Sequence, residues 1–339
     1  MPAYFETGFL VGRPAWHGLG KVLPADTHLS VEEGLVAAGL DWKVDLLPLE
    51  VSHNAPVPGP SPGPDWIGPL HPAAGKVVPS MATVRREDNA ILGVVGMRYN
   101  VLQNIDAFRW FQPFLDANEA TLHTAGSLYG GKRIWVLAKL NRKSIEVVEG
   151  DNVDKFLLLS NSHDGTSCVR VGFCPIRVVC ANTLAMGHKV GQLLRLRHTS
   201  SMKASLDDVR DIVNTANQQF EATAQQYRAL AHSSISPDDL RSYVRQVVLD
   251  VPGDTPYDKL GARKAATLQD VIDRYHAPLG DRYVSTRPTW WRAYNAVTEY
   301  YSYAAGRNEN TRLKSLWYGD NQKRSEKALT TAVTLSQAI

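Results

Sequence analysis

The sequence predicts an α+β fold: an antiparallel sheet of β-hairpins packed by a long helix, followed by a helical C-terminal subdomain. Three observations carry this expectation. Residues 122–128 and 132–140 are strand-like runs that flank Tyr129-Gly130-Gly131, a hairpin signal. Residues 155–173 repeat the theme: an apolar run, a polar break at Ser160–Gly165, then an alternation in which Val169, Val171 and Phe173 oppose Cys168, Arg170 and Gly172. Residues 199–232 place Leu206, Val209, Val213, Ala216, Phe220, Thr223, Tyr227 and Leu230 at steps of three and four, the spacing of a helix with one apolar stripe.

In chain order, residues 1–29 are punctuated by glycine, proline and histidine, with Trp16 and Leu19 as expected anchors. Ser30 with Glu33 fits a capping box and starts a short helix that ends near Gly39. Trp42–Val51 has strand character. Residues 53–75 are crowded with proline and glycine, which suits an exposed loop and neither a ladder nor a helix interior. Strands are expected at Val77–Val84 and Ile91–Val101, joined by the turn Arg85–Asn89. Asn104 is placed to cap a helix Ile105–Ala117, which Pro113 should kink or shorten. After the two hairpins, Pro175 is expected to open a short helix burying Ile176, Val179, Cys180, Thr183 and Leu184, with Arg177 off that stripe. Gln192–His198 reads as a further strand. Beyond Ser233 the pattern is helical, with segments at Leu240–Val248, Pro256–Tyr275, Trp290–Ala304 and Asn321–Ala338. The expected division is a core domain over 1–232 and a helical subdomain over 233–339.

The chain of 339 residues is 44% hydrophobic and 21% charged, an ordinary globular balance. No uncharged apolar run is long enough to span a bilayer, and MPAYFETGFLVGR lacks the basic start of a signal peptide. Three closely spaced cysteines, Cys168, Cys174 and Cys180, point to a reducing compartment without a disulfide framework. The net charge of +3 is uneven: residues 122–203 carry twelve Lys or Arg against five Asp or Glu, and the remainder is net acidic. Two readings of that segment stand side by side, a polyanion site and an ordinary solvated surface.

NSHDGT (161–166) followed by RVVCANTL (177–184) resembles the signature of the phage/plasmid-like protein family, a domain of unknown function. PAWHGLG (14–20), VGMRYNVLQN (95–104), TAGSLYGGKRIWVLAKL (124–140) and WWRAYNAVTEY (290–300) fit the same family, so the resemblance runs over nearly the whole chain. A hairpin-rich core followed by a long helix is similar to the single-strand annealing proteins of phage recombination, the RecT, Redβ and Erf groups, and to the Rad-fifty-two class. The resemblance implies a cytoplasmic protein of a bacterial host cell that binds and anneals single-stranded DNA. It would use no nucleotide cofactor and no metal, and would work as a homo-oligomer alongside host or phage recombination proteins.

Strand parity supplies a site for that reading. Arg133, Trp135, Leu137 and Lys139 share one face of their strand, Arg170 opposes an apolar face, and Arg195 and Arg197 oppose Leu194 and Leu196. Arg133, Lys139, Arg170, Arg177, Arg195 and Arg197 are the expected phosphate contacts, with Tyr129 and Trp135 as base-stacking platforms. A sheet with one solvated face shows the same alternation without a ligand. Two other classes remain open: a metal-dependent nuclease or hydrolase built on His163, Asp164 and Asn182, and an anti-defence factor that binds a host protein. Against the enzyme, no recognisable metal, phosphate-loop or nucleophile-elbow spacing is present. SNSHDG also reads as a hydrogen-bonded turn, and Asn295 with Glu299 as a helix–helix contact.

Overall fold

Runs of β-branched and large apolar residues build the centre of the protein. The computed structural model describes residues 5–12, 20–52, 75–141, 144–177, 194–202, 221–278, 287–306, 315 and 320–337. The fold is α+β, with an antiparallel hairpin sheet and C-terminal helices, as the sequence predicts.

The first sheet contains β1 (Phe5–Val11), β2 (Lys21–Leu23), β6 (Ala120–Leu128), β7 (Arg133–Leu140), β8 (Ile145–Val148), β9 (Asp151–Ser162), β10 (Val169–Arg177) and β11 (Leu194–Leu196). Its order is β11-β10-β9-β7-β6-β1-β2, with β8 pairing on β9. Only β1 and β2 run parallel among these pairs. A second, three-stranded antiparallel sheet holds β3 (Val44–Glu50), β4 (Val77–Arg85) and β5 (Ile91–Gly96).

Helices cover the large sheet on both sides. On one side lie α1 (Val31–Ala37), α2 (Asn104–Arg109) and α3 (Gln112–Asp116), packed on Ile134, Val136, Ala138, Leu157 and Leu159. Ser30 and Glu33 form the expected capping box on α1. The helix expected over Ile105–Ala117 is split, and Pro113 sits in the first turn of the second piece, where its missing N–H costs nothing. Asn104 is not a cap. Gln103 is the N-cap residue, and Asn104 is buried, donating to the Leu40 and Trp42 carbonyls.

On the other side lie α4 (residues 221–232), α5 (Pro237–Val244), α6 (Gly261–His276), α7 (Trp290–Glu299) and α8 (Asp320–Gln337). One hydrophobic cluster runs from Trp135, Leu137, Phe156 and Leu158 of the sheet into Tyr227, Leu230, Trp290, Trp291 and Tyr294. Thr223, Tyr227 and Leu230 of the expected helical stripe are buried; the stripe from 203 to 220 lies outside the described residues. Trp291 donates to Asp151 at 2.8 Å, tying α7 to the start of β9. Asn295 donates to the Trp291 carbonyl within α7, whereas the buried Glu299 pairs with Arg274 of α6 at 3.0 Å, so of this polar pair Glu299 makes the helix–helix contact.

Three boundaries differ from expectation. β5 stops at Gly96 in a turn at Met97-Arg98 instead of running to Val101. Ser160–Ser162 belong to β9, so the break begins at His163. No helix opens at Pro175, because β10 continues to Arg177 with Pro175 opposite Lys155. Among the described residues β11 pairs only with Val169–Val171, so Pro175 lies where β10 has no described partner on that side, a position at which proline is tolerated. The rest of the expected helix, the 53–74 part of the proline-rich loop, Trp16 and Leu19 lie outside the described residues.

Candidate functional site

The turn after β9 joins the two sheets. The His163 N–H donates to the Lys132 carbonyl at 2.8 Å, and its own carbonyl accepts from Thr83 Oγ1 of β4 at 2.8 Å. Its ring is fully buried, edge-on to Trp42 at 5.4 Å. Asn104 donates both its N–H groups to carbonyls, so its Oδ1 must accept from His163 Nε2 at 2.9 Å. Burial, with a smaller contribution from His198, holds His163 neutral by pushing its pKa down to about 3. Burial alone would raise Asp164, but hydrogen bonds from Ser162 and Thr166 outweigh it and keep that carboxyl below its ordinary value. The geometry is that of the hydrogen-bonded turn.

Gly93 lets β5 approach this turn. A Cβ at that position would stand 2.5 Å from the Asp164 Cα. Past β5, Tyr99 donates its hydroxyl to the Ser162 carbonyl at 2.8 Å. Asn100 N–H donates to the His198 carbonyl at 3.0 Å, and His198 Nδ1 donates back to the Asn100 carbonyl at 3.0 Å. The Tyr99 and His198 rings stack at 4.4 Å with 22° between planes. Residues 97–100 are thereby fastened to the end of β9 and to the segment after β11.

Between these fastenings lies an open cleft of about 1180 Å³. Its walls are Met97–Asn100, Gly165–Cys168, Arg170 of β10 and Arg197–Ser200, with Pro79 and Gly96 at the margin. Arg98, Arg170 and Arg197 line it, and among the described residues no Asp or Glu does. Arg98 and Arg197 are exposed and form no ion pair among the described residues. Guanidinium groups without a lining carboxylate make an anion-attracting surface.

The residues expected from strand parity divide sharply. Register sets Trp135, Ser160, Arg170 and Arg195 in one cross-strand row, so the basic residues of β7, β10 and β11 do share a face. The middle of that face is roofed by the C-terminal helices. Trp135 is 1% exposed, 6.2 Å from the Phe5 ring, and is therefore a core residue instead of a stacking platform. Lys139 pairs with Asp154 at 2.6 Å, at the far end of β7 from Arg133. Arg133 donates to Thr166 at 2.9 Å and lies over the Tyr129 ring at 5.7 Å. Tyr129 is half-buried in the hairpin turn. Arg170 and Arg197 reach the cleft, and Arg195 is exposed beside Arg170. Arg177 closes β10, and its side chain, like Asn182, lies outside the described residues.

Arg98, Tyr99, Asn100 and His198 were not expected. The signal for the first three is the MRYN of VGMRYNVLQN, polar residues following an apolar strand. His163, the first residue of the enzyme reading, is buried and engaged with Asn104. No three His, Cys, Asp or Glu side chains among the described residues are grouped to hold a metal.

A family model described as a domain of unknown function (DUF932) matches residues 91–317. The match opens at the first residue of β5 and takes in all three cleft arginines. No curated protein and no solved structure matches the chain.

Proposed function

The chain belongs to the DUF932 family, and for this member we propose single-stranded nucleic-acid binding that serves strand annealing in a phage or plasmid recombination system. The cleft carries the proposal. Its three arginines line a space with no Asp or Glu among the described lining residues, and backbone phosphates are the extended anion such a surface fits. Binding is electrostatic and positional, with no nucleotide cofactor: Arg98, Arg170 and Arg197 hold phosphates, and Arg195 extends the track beyond the cleft. Annealing then needs only that bases stay exposed while a strand is held. One cleft of about 1180 Å³ holds a few nucleotides, so a strand long enough to pair requires several copies side by side. A homo-oligomer is part of the reading.

The test is fluorescence anisotropy of a labelled single strand against salt, with Arg98→Ala/Arg197→Ala beside the wild type. Two lost phosphate contacts should weaken binding at low salt and flatten the log–log salt slope by about 1.4. An unchanged slope and affinity in that variant would remove the cleft from the proposal. No binding of any oligonucleotide at low salt would end the nucleic-acid reading.

A further inference from the structure

We propose that Tyr99, backed by His198, is the base-stacking subsite of the cleft, and that its ligand is an unpaired nucleobase. The inference rests on the nucleic-acid reading and names the part of the ligand that arginines cannot recognise. The two aromatic residues expected to stack bases do not line the cleft, whereas Tyr99 and His198 both do. One face of the Tyr99 ring is covered by His198 at 4.4 Å in a nearly parallel stack. A base entering the cleft extends that stack by one ring, with Arg98 next in sequence to take its phosphate.

The platform is held rigid. The Tyr99 hydroxyl is anchored on Ser162, and His198 is locked to Asn100 through both its carbonyl and its Nδ1. A preformed platform loses little freedom when a base lands on it. The Asn100 side chain is exposed in the same wall, an amide that can donate to or accept from any base edge. Stacking with an adaptable amide suits recognition that tolerates any sequence. A duplex offers no free base face, so the subsite favours single strands.

The experiment compares a natural oligonucleotide with an abasic one of the same length and charge. The wild type should bind the natural strand about tenfold more tightly, the effect of one stacked base. Tyr99→Phe should keep that ratio although it loses the Ser162 anchor, Tyr99→Trp should raise it, and Tyr99→Leu should bring it toward one. A purely structural role for Tyr99 predicts another pattern, with Phe damaged and the ratio indifferent to aromaticity. A wild-type ratio near one, or a ratio unmoved by Tyr99→Leu and Tyr99→Trp, overturns the inference while leaving salt-dependent phosphate binding intact. If neither oligonucleotide binds, the nucleic-acid reading fails and the subsite with it.

Discussion

Trp135 shows how one residue changes role when its neighbours are known. Alternation puts it on a face with Arg133 and Lys139, and that placement is correct. Alternation carries no information on what covers the face. Opposite Trp135 stands Gly126, where a Cβ would lie 2.7 Å from the indole ring, so the glycine makes room for a buried tryptophan. Trp135→Ala should therefore lower stability by ~3–5 kcal/mol in denaturant unfolding, with any effect on nucleic-acid binding following from unfolding. His163 carries a second prediction at this scale. Its folded pKa is near 3 because it is buried, against an ordinary 6.5, and His198 is lowered too, chiefly by burial. Between about pH 3 and 6.5 the unfolded chain binds protons that the folded protein refuses, so stability falls as pH drops through that window. The slope should approach ~1.4 kcal/mol per pH unit for each such proton, and His163→Gln should flatten it in chemical unfolding across pH 4–7.

Elements were legible where the signal is local and dihedral. In the Tyr129-Gly130-Gly131 turn both glycines take positive φ, as a hairpin of that composition favours, and Tyr129 takes it as well. Pro113 splits its helix for reasons internal to proline. What failed depends on pairing partners distant in sequence. Asn104 has the composition of a cap, yet Gln103 takes the extended conformation there and spends its side chain on both backbone groups of Val44. Asn104 instead joins three elements: the α1–β3 connection through Leu40 and Trp42, the post-β9 turn through His163, and α2 itself. Asn104→Ala leaves two buried carbonyls and one ring N–H without this partner, and should cost about 2 kcal/mol or more in equilibrium unfolding. Because that turn forms one wall of the cleft, the variant should also weaken oligonucleotide binding. The cleft escaped the sequence for the same reason. Arg98 and Arg197 are ninety-nine positions apart, and the Asn100–His198 pairing and the Tyr99–His198 stack bring their segments together.

At the scale of the molecule, the surplus of basic residues over 122–203 does not mark a single surface. Lys139 is neutralised by Asp154, Arg133 engages Thr166, and Arg98, from outside the segment, supplies one of the cleft cations. The sequence places a helical subdomain from 233, and one hydrophobic cluster holds residues from both sides of that position. Leu128, Trp135, Leu137, Phe156 and Leu158 of the sheet share it with Trp290, Trp291, Tyr294 and Leu329. Exposing five large apolar side chains at ~1.5–3 kcal/mol each is comparable to the whole stability of an ordinary domain, ~5–15 kcal/mol. A fragment ending at 232 should therefore fail to fold as a monomer: it should bind a hydrophobic dye, aggregate, and show no cooperative melt. The full chain should unfold in one transition by both far-ultraviolet circular dichroism and tryptophan fluorescence, since Trp135 sits in the sheet and Trp290 and Trp291 in the helices. A monomeric fragment with native-like circular dichroism, or two separated transitions in the full chain, would mean that the helices fold independently. The roof over Trp135 would then be removable, and the basic face of β7 would again be available to a strand of nucleic acid.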